Sequence, residues 1–521
     1  MIPTVFGCAI ALVGVVLLVI ADVPAMFGFV VLCSVLGGAS AVDLPALGGS
    51  TIPPLHFALG FLMLRCLLPG SGQGEFARAA FRSNLPLIIF VAYGVVIAYV
   101  GPRLFAEQMT VVPMRYVGTA TYATFPLRPT PQNITAAIYL IGTLMCAIGA
   151  YIACSNEGGG RVLVKAGIAA ACFHIFFGVT GALFAGTEYA TVLQFFRNGN
   201  YAQLDQRIGD FARMSGIFPE PSGFAAYGLV WFVFLFECWF RGIMPRVTGP
   251  IAVCMAVTLV FSTSSTAYLG LALYAVLFGF RTLILPEGAS SAKLVRIALG
   301  LLIGSIAIAT LLLLTPGLAS RIGSIITTMT VGKQSSASAT QRAFWAHQGL
   351  QAFGVSFGLG IGPGSFRSSS QMMAVLGCTG IVGAVSFVMY VLAVLKPLRA
   401  STYNVPTTRS NAIGVAGGWS AFCLLITAAF IAPSPDPGSD FAMLAGASLA
   451  LRKKGAWRAA VVESPTEDLP APSAAPINAE LLQDAEWSAV IVPEKEPNLP
   501  DRTRRWHEAQ HRWKSEGGRR P

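Results

Sequence analysis

The sequence predicts an all-α, polytopic membrane protein with about 12–13 transmembrane helices. Hydrophobic residues occupy 54% of its 521 positions and charged residues only 11%, whereas soluble domains carry roughly a quarter charged residues. The mean hydropathy is +0.66. Apolar runs of about 20 residues, the length that crosses a bilayer, recur along the whole chain. This composition excludes an ordinary soluble globular protein.

Thirteen apolar segments are predicted to span the membrane. The first has no basic residues ahead of it and runs almost directly into the second, so we interpret it as a span and not as a cleaved signal peptide. The predicted spans are 4–20, 23–41, 53–69, 84–101, 135–154, 166–186, 222–240, 247–262, 266–283, 296–315, 371–395, 411–432 and 438–451.

The distribution of Lys and Arg on the short connections between spans predicts which side of the membrane each connection faces. The connections 42–52, 263–265 and 433–437 carry no Lys or Arg, so they are predicted to lie outside, because positive charge stays in the cytoplasm. The amino terminus is then outside as well. The opposite, cytoplasmic set carries Arg78, Arg82, Arg161, Lys165, Arg241, Arg246, Lys293, Arg296, Lys396, Arg399 and Arg409.

A change in composition predicts a boundary near residue 451. Residues 1–451 form the predicted membrane domain, with three long outer loops at about 102–134, 187–221 and 316–370. Residues 452–521 carry twelve basic and eleven acidic residues and few aliphatic clusters. We predict a disordered cytoplasmic tail there, because such a segment buries too little apolar surface to fold alone.

Cysteine and histidine placement argues against several kinds of site. All ten cysteines lie in or at the ends of predicted spans, where they act as small apolar residues and not as a disulfide framework. No His, Cys and carboxylate cluster has metal-ligand spacing, so we expect no metal and no other cofactor. No nucleic-acid motif accompanies the net charge of +11.

The long outer loops carry basic residues against the positive-inside trend. Nine of these ten residues are arginine, whose planar guanidinium binds phosphate or carboxylate oxygens bidentately and keeps its charge. They predict an anionic ligand at the outer surface; the alternative is anchoring of the loops to lipid headgroups. The ten are Arg103, Arg115, Arg128, Arg197, Arg207, Arg213, Arg321, Lys333, Arg342 and Arg367.

The stretch "RMSGIFPEPSG", residues 213–223, places charges directly before a span. Gly216 permits a tight turn, and the two prolines stiffen the approach to a helix. Ser222 is predicted as the N-cap of that helix. Glu220 then lies beside the helix amino end, where the dipole favours its ionised form. It either pairs with Arg213, orients or deprotonates a sugar hydroxyl, or serves in capping alone.

The third long loop contains two candidate elements. "QRAFWAHQGLQAF", residues 341–353, is typical of an amphipathic helix at the membrane interface. Arg342 is its second residue, while His347 lies on another face and has a structural interpretation. "GLGIGPGSFRSSS", residues 358–370, crowds glycines ahead of Arg367. Successive N–H groups of such a turn bind anions, so the candidate substrate contacts there are Gly362, Gly364, Arg367 and Ser368.

Two further polar features have structural interpretations. The turn "FSTSSTAYLG", residues 261–270, joins two spans on the outer side, and its hydroxyls either cap helices or meet a ligand. Glu237 lies within a predicted span, where acids are often functional. It is four residues from Arg241, and an i,i+4 ion pair at the cytoplasmic interface explains it better.

The order of these motifs resembles the O-antigen ligase and Wzy-type polysaccharide polymerase superfamily, especially its exopolysaccharide polymerase branch. "RMSGIFPEPSGFAAYG" opens a span, a "STSSTAYL" turn follows, and "QRAFWAHQGL" with "GLGIGPGSFRSSSQMMAVLGCTG" completes a long outer loop. The resemblance is clearest over residues 200–395, and the topology on both sides is compatible with it.

The resemblance implies a glycosyltransferase of the bacterial inner membrane with a GT-C-like fold and a periplasmic active face. Its substrate would be a glycan on undecaprenyl diphosphate, and it would need neither metal nor nucleotide. Arg213, Glu220 and Arg342 are the implied catalytic residues, and Arg207 and Arg367 join the glycine loop as substrate contacts. Other polysaccharide assembly and export proteins are the implied partners.

One departure separates the branches of this superfamily. In the ligases a histidine follows the glycine-rich loop, whereas "SFRSSSQMMAVLGCTG" contains none. This favours a polymerase and leaves the catalytic base unassigned. Glycan transfer to another acceptor and a lipid-linked oligosaccharide flippase remain the alternatives, although the chain lacks the internal repeats typical of transporters.

Overall fold

The computed structural model describes residues 1–47, 49–114, 123–199, 207–208, 211–284, 291–314, 337–396 and 408–463. Residues 1–463 form one compact unit. The last helix of this unit continues to Glu463, so the predicted domain boundary at 451 lies inside a helix. Most of the predicted tail, from 464 onwards, lies outside the described residues.

Sixteen α-helices form within these ranges. They are α1 (Val5–Ile20), α2 (Val23–Cys33), α3 (Pro54–Leu67), α4 (Gly74–Ser83), α5 (Leu85–Leu104), α6 (Pro131–Ser155), α7 (Gly159–Leu183), α8 (Tyr189–Phe196), α9 (Pro221–Phe240), α10 (Pro245–Phe261), α11 (Ser265–Ile284), α12 (Ser291–Leu314), α13 (Ala337–Val355), α14 (Gln371–Leu395), α15 (Arg409–Ile431) and α16 (Ser439–Glu463).

Each predicted span overlaps one of these helices, and the all-α prediction is confirmed at that level. Seven helices of the described residues, α5, α6, α7, α9, α11, α14 and α15, are long and apolar enough to cross a membrane. Four more apolar helices, α1, α2, α3 and α10, are shorter. Helices of this length and composition indicate a membrane protein.

The predicted span 23–41 was wrong in extent, because α2 ends at Cys33. The following residues include Gly37 and Gly38, whose backbones pack directly against another segment. A Cβ on Gly38 would lie 2.3 Å from the carbonyl oxygen of Ile217, and one on Gly37 would lie 2.6 Å from the Phe218 ring. This close approach, and not a continued helix, accounts for the two glycines.

Short strands accompany the connections at one end of the helices. Antiparallel pairing joins β1 (Ile2–Pro3), β2 (Val42–Leu44) and β3 (Ser50–Ile52) in one sheet, β4 (Thr110–Val111) to β5 (Phe125–Pro126), and β6 (Arg207–Ile208) to β7 (Phe211–Ala212).

We call the end that carries residues 211–220, 262–264 and 356–370 the motif end. Ser365 Oγ of the glycine-rich loop accepts from Asn133 Nδ2 at 2.9 Å, in the first turn of α6. The glycine-rich loop therefore lies beside the start of α6, and the bond from Arg213 Nη2 to the Thr263 carbonyl oxygen, at 3.2 Å, joins the other two segments.

Helix α9 is the most deeply packed of the seven long apolar helices. Its Trp231 and Phe234 are fully buried, and Phe224 stacks on the His174 ring with centroids 3.9 Å apart. Because aromatic burial of this kind removes freedom of movement, α9 gives the residues at its amino end a rigid support.

Glu237 lies in a buried ion network near the other end of α9. Its side chain is fully buried. Arg281 Nη1 donates to it at 2.8 Å and Tyr274 Oη at 2.7 Å. The predicted Arg241 pair is present at 3.5 Å. The i,i+4 pair is thus confirmed, and α11 also covers the carboxylate, so Glu237 joins residues of both helices.

Candidate functional site

The segment Arg213–Glu220 forms a rigid approach to α9. Gly216 has φ +49°, and a Cβ there would lie 3.3 Å from the Gly178 nitrogen, so this turn requires glycine. Pro221 occupies the first helical turn, which suits its fixed φ. The predicted N-cap was wrong by two positions: Glu220 is the N-cap residue, with φ −154° and ψ 157°, and Ser222 lies inside the helix.

Glu220 is held in place from its own helix. The Ser222 hydroxyl donates to its carboxylate, and the N–H of Phe224 donates to its carbonyl oxygen at 3.1 Å. The side chain is partly exposed. The carboxylate therefore stays accessible at the motif end while its position is constrained.

Arg213 joins two motifs that are distant in sequence. Its Nη2 donates to the carbonyl oxygen of Thr263 at 3.2 Å, in the turn between α10 and α11. Burial lowers the pKa of the guanidinium from its ordinary value, while the nearby Glu220 and Tyr268 oppose that shift. Arginine keeps its proton under such conditions, so a half-buried positive charge lies beside a carboxylate.

Arg197 stabilises this segment through side-chain hydrogen bonds. Its side chain is buried, Nε donates to the carbonyl oxygen of Gly216 at 2.9 Å, and Nη2 donates to Ser215 Oγ at 2.8 Å. The sequence placed Arg197 among the ten basic residues of the outer loops without distinguishing it. In the structure its side chain fixes the turn that leads from Arg213 to α9.

An Arg197→Ala variant is expected to loosen residues 213–220. It removes both donors and leaves the Gly216 carbonyl buried without them, which costs about 1–3 kcal/mol. Hydrogen exchange of the Phe218 amide, which donates to Ser215 at 2.8 Å, should accelerate at least about tenfold. Arg128→Ala, at an exposed ion pair, is the control, and unchanged Phe218 exchange in Arg197→Ala contradicts the supporting role.

The glycine-rich loop uses its backbone N–H groups within the protein. The Ile361 N–H donates to Gly377 at 2.9 Å and the Gly362 N–H to Cys378 at 3.0 Å, while the Gly360 N–H donates to Ser356 Oγ. These three N–H groups are therefore not available to bind an anion as predicted, because each already has an acceptor within the protein.

The same glycines permit close packing of the loop against neighbouring helices. A Cβ on Gly362 would lie 2.6 Å from the carbonyl oxygen of Ile97, and one on Gly364 would lie 2.3 Å from that of Gln132. Ser368 is buried, and its hydroxyl bonds to Ser370. A substrate role for Gly362, Gly364 and Ser368 stays a prediction, but their evident role is packing.

Arg342 and Arg367 both lie where this loop packs against α13. Ser369 Oγ donates to the carbonyl oxygen of Arg342 at 2.5 Å. The Arg367 guanidinium lies over the Trp345 ring, 4.8 Å from its centroid. Within the described ranges neither arginine forms an ion pair. The structure thus groups the candidate residues into two clusters, Arg213 with Glu220 and Arg342 with Arg367.

Other sequence candidates lie partly or wholly outside the described residues. Arg207 pairs with Ala212 in the β6–β7 hairpin that leads into Arg213, but its side chain is not among those described. His347 is exposed on α13. Not described at all are Arg115, Arg321 and Lys333.

A polar cluster that the sequence did not indicate lies beside the glycine-rich loop. Pro433 accepts from the Ser368 N–H at 2.9 Å, and Asp436 Oδ1 accepts from Thr143 Oγ1 at 2.8 Å. Burial raises the pKa of Asp436, while its bonds from Gly438 and Thr143 oppose this. The turn "PSPDPGSD", residues 433–440, showed only a connection between spans, so its contact with α6 had no sequence signal.

Comparison with known proteins adds no family to these geometric findings. No protein-family model matches the chain, and no curated protein matches its sequence. The motifs and their spatial arrangement therefore carry the functional argument.

Proposed function

We propose that the protein is a membrane glycosyltransferase that polymerises undecaprenyl-diphosphate-linked oligosaccharide repeat units. The supporting observation is the meeting of two motifs at the motif end: Arg213 donates to Thr263, fifty residues away, beside the constrained carboxylate of Glu220. A half-buried arginine next to an accessible carboxylate suits a reaction in which an anionic leaving group departs and a hydroxyl loses a proton.

In the proposed reaction an acceptor sugar hydroxyl attacks the anomeric carbon of the lipid-linked glycan. The new glycosidic bond forms as the bond to the diphosphate oxygen breaks, and undecaprenyl diphosphate leaves with the electron pair. Arg213 stabilises the charge that develops on the leaving group, with Arg342 and Arg367 as further contacts. Glu220 is the candidate acceptor of the hydroxyl proton. The diphosphate is already a good leaving group, so the reaction consumes no nucleotide.

The proposed location is the bacterial inner membrane with a periplasmic active face. Support comes from the distribution of Lys and Arg on the short connections, which predicts the motif end outside. Transfer of the glycan to a different acceptor differs from polymerisation only in the attacking hydroxyl.

A flippase for the same lipid-linked oligosaccharide is the second candidate. The Glu237–Arg281 pair, at 2.8 Å and fully buried, favours it, because charges inside the membrane often line transport pathways. Arg241 and Tyr274 also contact this carboxylate, which supports a structural network instead.

Deleting the gene is expected to abolish long polymer and to leave single lipid-linked repeat units facing the periplasm. Chain length is measured by gel electrophoresis of extracted glycan, and the leaflet by lectin labelling of intact spheroplasts. Restoring the wild-type gene is the control. Repeat units stranded on the cytoplasmic leaflet contradict the polymerase and support the flippase.

A further inference from the structure

Three side-chain N–H donors without acceptors lie at one corner of the motif end, where the glycine-rich loop meets α13 and α14. They are Trp345 Nε1, Arg367 Nε and Gln371 Nε2, and each is buried and makes no hydrogen bond within the described part of the chain. Buried donors are normally paired. Three unpaired donors at one corner therefore need an explanation.

The three residues come together from two helices and the loop between them. The Arg367 guanidinium lies 4.8 Å from the Trp345 ring centroid. Ser369 Oγ donates to the carbonyl oxygen of Arg342, one turn before Trp345 on α13. A Cβ on Gly349 would lie 2.3 Å from the carbonyl oxygen of Met373. Residues 369 and 373 therefore lie beside residues 342 and 349 of α13, and Gln371 lies between these two contacts.

Gln371 provides the second, independent observation at this helix start. It begins α14, a helix of 25 residues, and Ser370 makes no side-chain cap there. Its own side chain is only 2% exposed, and its amide nitrogen has no acceptor. The helix dipole adds positive potential at the same position.

The chemistry of the corner selects its ligand. All three free groups are N–H donors, one belongs to a cation, and neither Arg342 nor Arg367 forms an ion pair within the described residues. A group with several anionic oxygens accepts from all three at once, whereas a sugar hydroxyl accepts from fewer and carries no charge to balance the arginines.

We propose that Trp345, Arg367 and Gln371 form an oxyanion site that binds a phosphate or carboxylate group of the lipid-linked glycan. The donors that the sequence assigned to the glycine backbone are supplied instead by the indole, guanidinium and amide side chains. This deepens the proposed function and rests on it for the identity of the substrate. The binding of the oxyanion itself does not depend on chain extension.

The test is calorimetric titration of the full-length protein in lipid nanodiscs with inorganic pyrophosphate, without divalent metal and at constant ionic strength. A Gln371→Glu variant should weaken binding at least tenfold, because a carboxylate replaces the donor. The control is Gln351→Glu, the same change at an exposed position of α13, which should bind as the wild type does.

A Trp345→Phe variant keeps a ring beneath Arg367 and removes only the indole N–H. It should weaken pyrophosphate binding about three- to tenfold, while Trp419→Phe, the same change on α15, should not. Pyrophosphate binding that is unchanged in both Gln371→Glu and Trp345→Phe overturns the proposal. If either variant fails to fold, as judged by size-exclusion chromatography, the other decides.

Glucuronate, titrated in parallel, distinguishes the two sources of the anion. Site-dependent binding of pyrophosphate alone assigns the corner to the carrier diphosphate, and site-dependent binding of glucuronate alone assigns it to an acidic sugar. If the protein binds pyrophosphate in a way that requires Gln371 but never extends glycan, the result supports this site and contradicts the polymerase. If Gln371→Glu abolishes pyrophosphate binding but leaves glycan extension unchanged, the site has no role in binding the substrate.

Discussion

An Arg213→Ala variant is expected to lose chain extension by about 10²- to 10³-fold, the effect of removing one preorganised donor from developing charge. Arg213 is half-buried, held by Thr263 at 3.2 Å, and stays charged although burial lowers its pKa. A charge fixed in this way needs no rearrangement when the diphosphate leaves. The rate is measured with purified protein in liposomes and a lipid-linked oligosaccharide.

Two further variants distinguish the role of Arg213 from a general effect of positive charge on the outer loops. Arg103→Ala removes an exposed arginine that bonds within its own helix, to Tyr99 at 2.7 Å, and should extend glycan normally. Arg213→Lys keeps the charge but loses the planar fork, so its rate should lie between those of the wild type and the alanine variant. Wild-type extension by Arg213→Ala contradicts the role assigned to this residue.

Glu237→Gln is expected to lower the free energy of unfolding by about 3–5 kcal/mol, the cost of removing one partner from a buried ion pair. Arg281 is 7% exposed and Glu237 is not exposed at all, so water does not replace the lost partner. The measurement is equilibrium unfolding in mixed detergent micelles with increasing sodium dodecyl sulfate.

A double variant tests the pairing directly. Glu237→Leu combined with Arg281→Met removes the closer, more deeply buried pair and should recover part of the stability lost by Glu237→Gln. Recovery is incomplete because Arg241, whose side chain is 14% exposed, also loses the carboxylate. Lys165→Met removes an exposed charge from α7 and should change stability little. Equal losses in the single and double variants contradict a coupled pair.

The helices were predictable because lipid imposes long apolar segments, and each predicted span overlaps a helix. Lengths were less predictable: α2 ends at Cys33, and the Gly37 and Gly38 that follow pack against Phe218 and Ile217. That contact joins segments about 180 residues apart. The local pattern of apolar residues does not indicate a packing partner so distant in the sequence.

The candidate site was predictable in part. Arg213 and Glu220 were singled out by the proline-rich approach to a helix, but the Thr263 contact depends on how α9, α10 and α11 pack. The glycine-rich loop was interpreted as an anion-binding turn, yet the N–H of Gly362 bonds to Cys378. Gln371, an amide with no motif around it, gave no signal until the burial of its side chain was known.

Chain extension by the purified wild-type protein tests the central claim most directly. Liposomes containing the full chain and an undecaprenyl-diphosphate-linked oligosaccharide, with no nucleotide added, should form a ladder of products spaced by one repeat unit. Each new glycosidic bond should release one undecaprenyl diphosphate. Intact starting material and no released lipid diphosphate, from folded protein, would contradict the account.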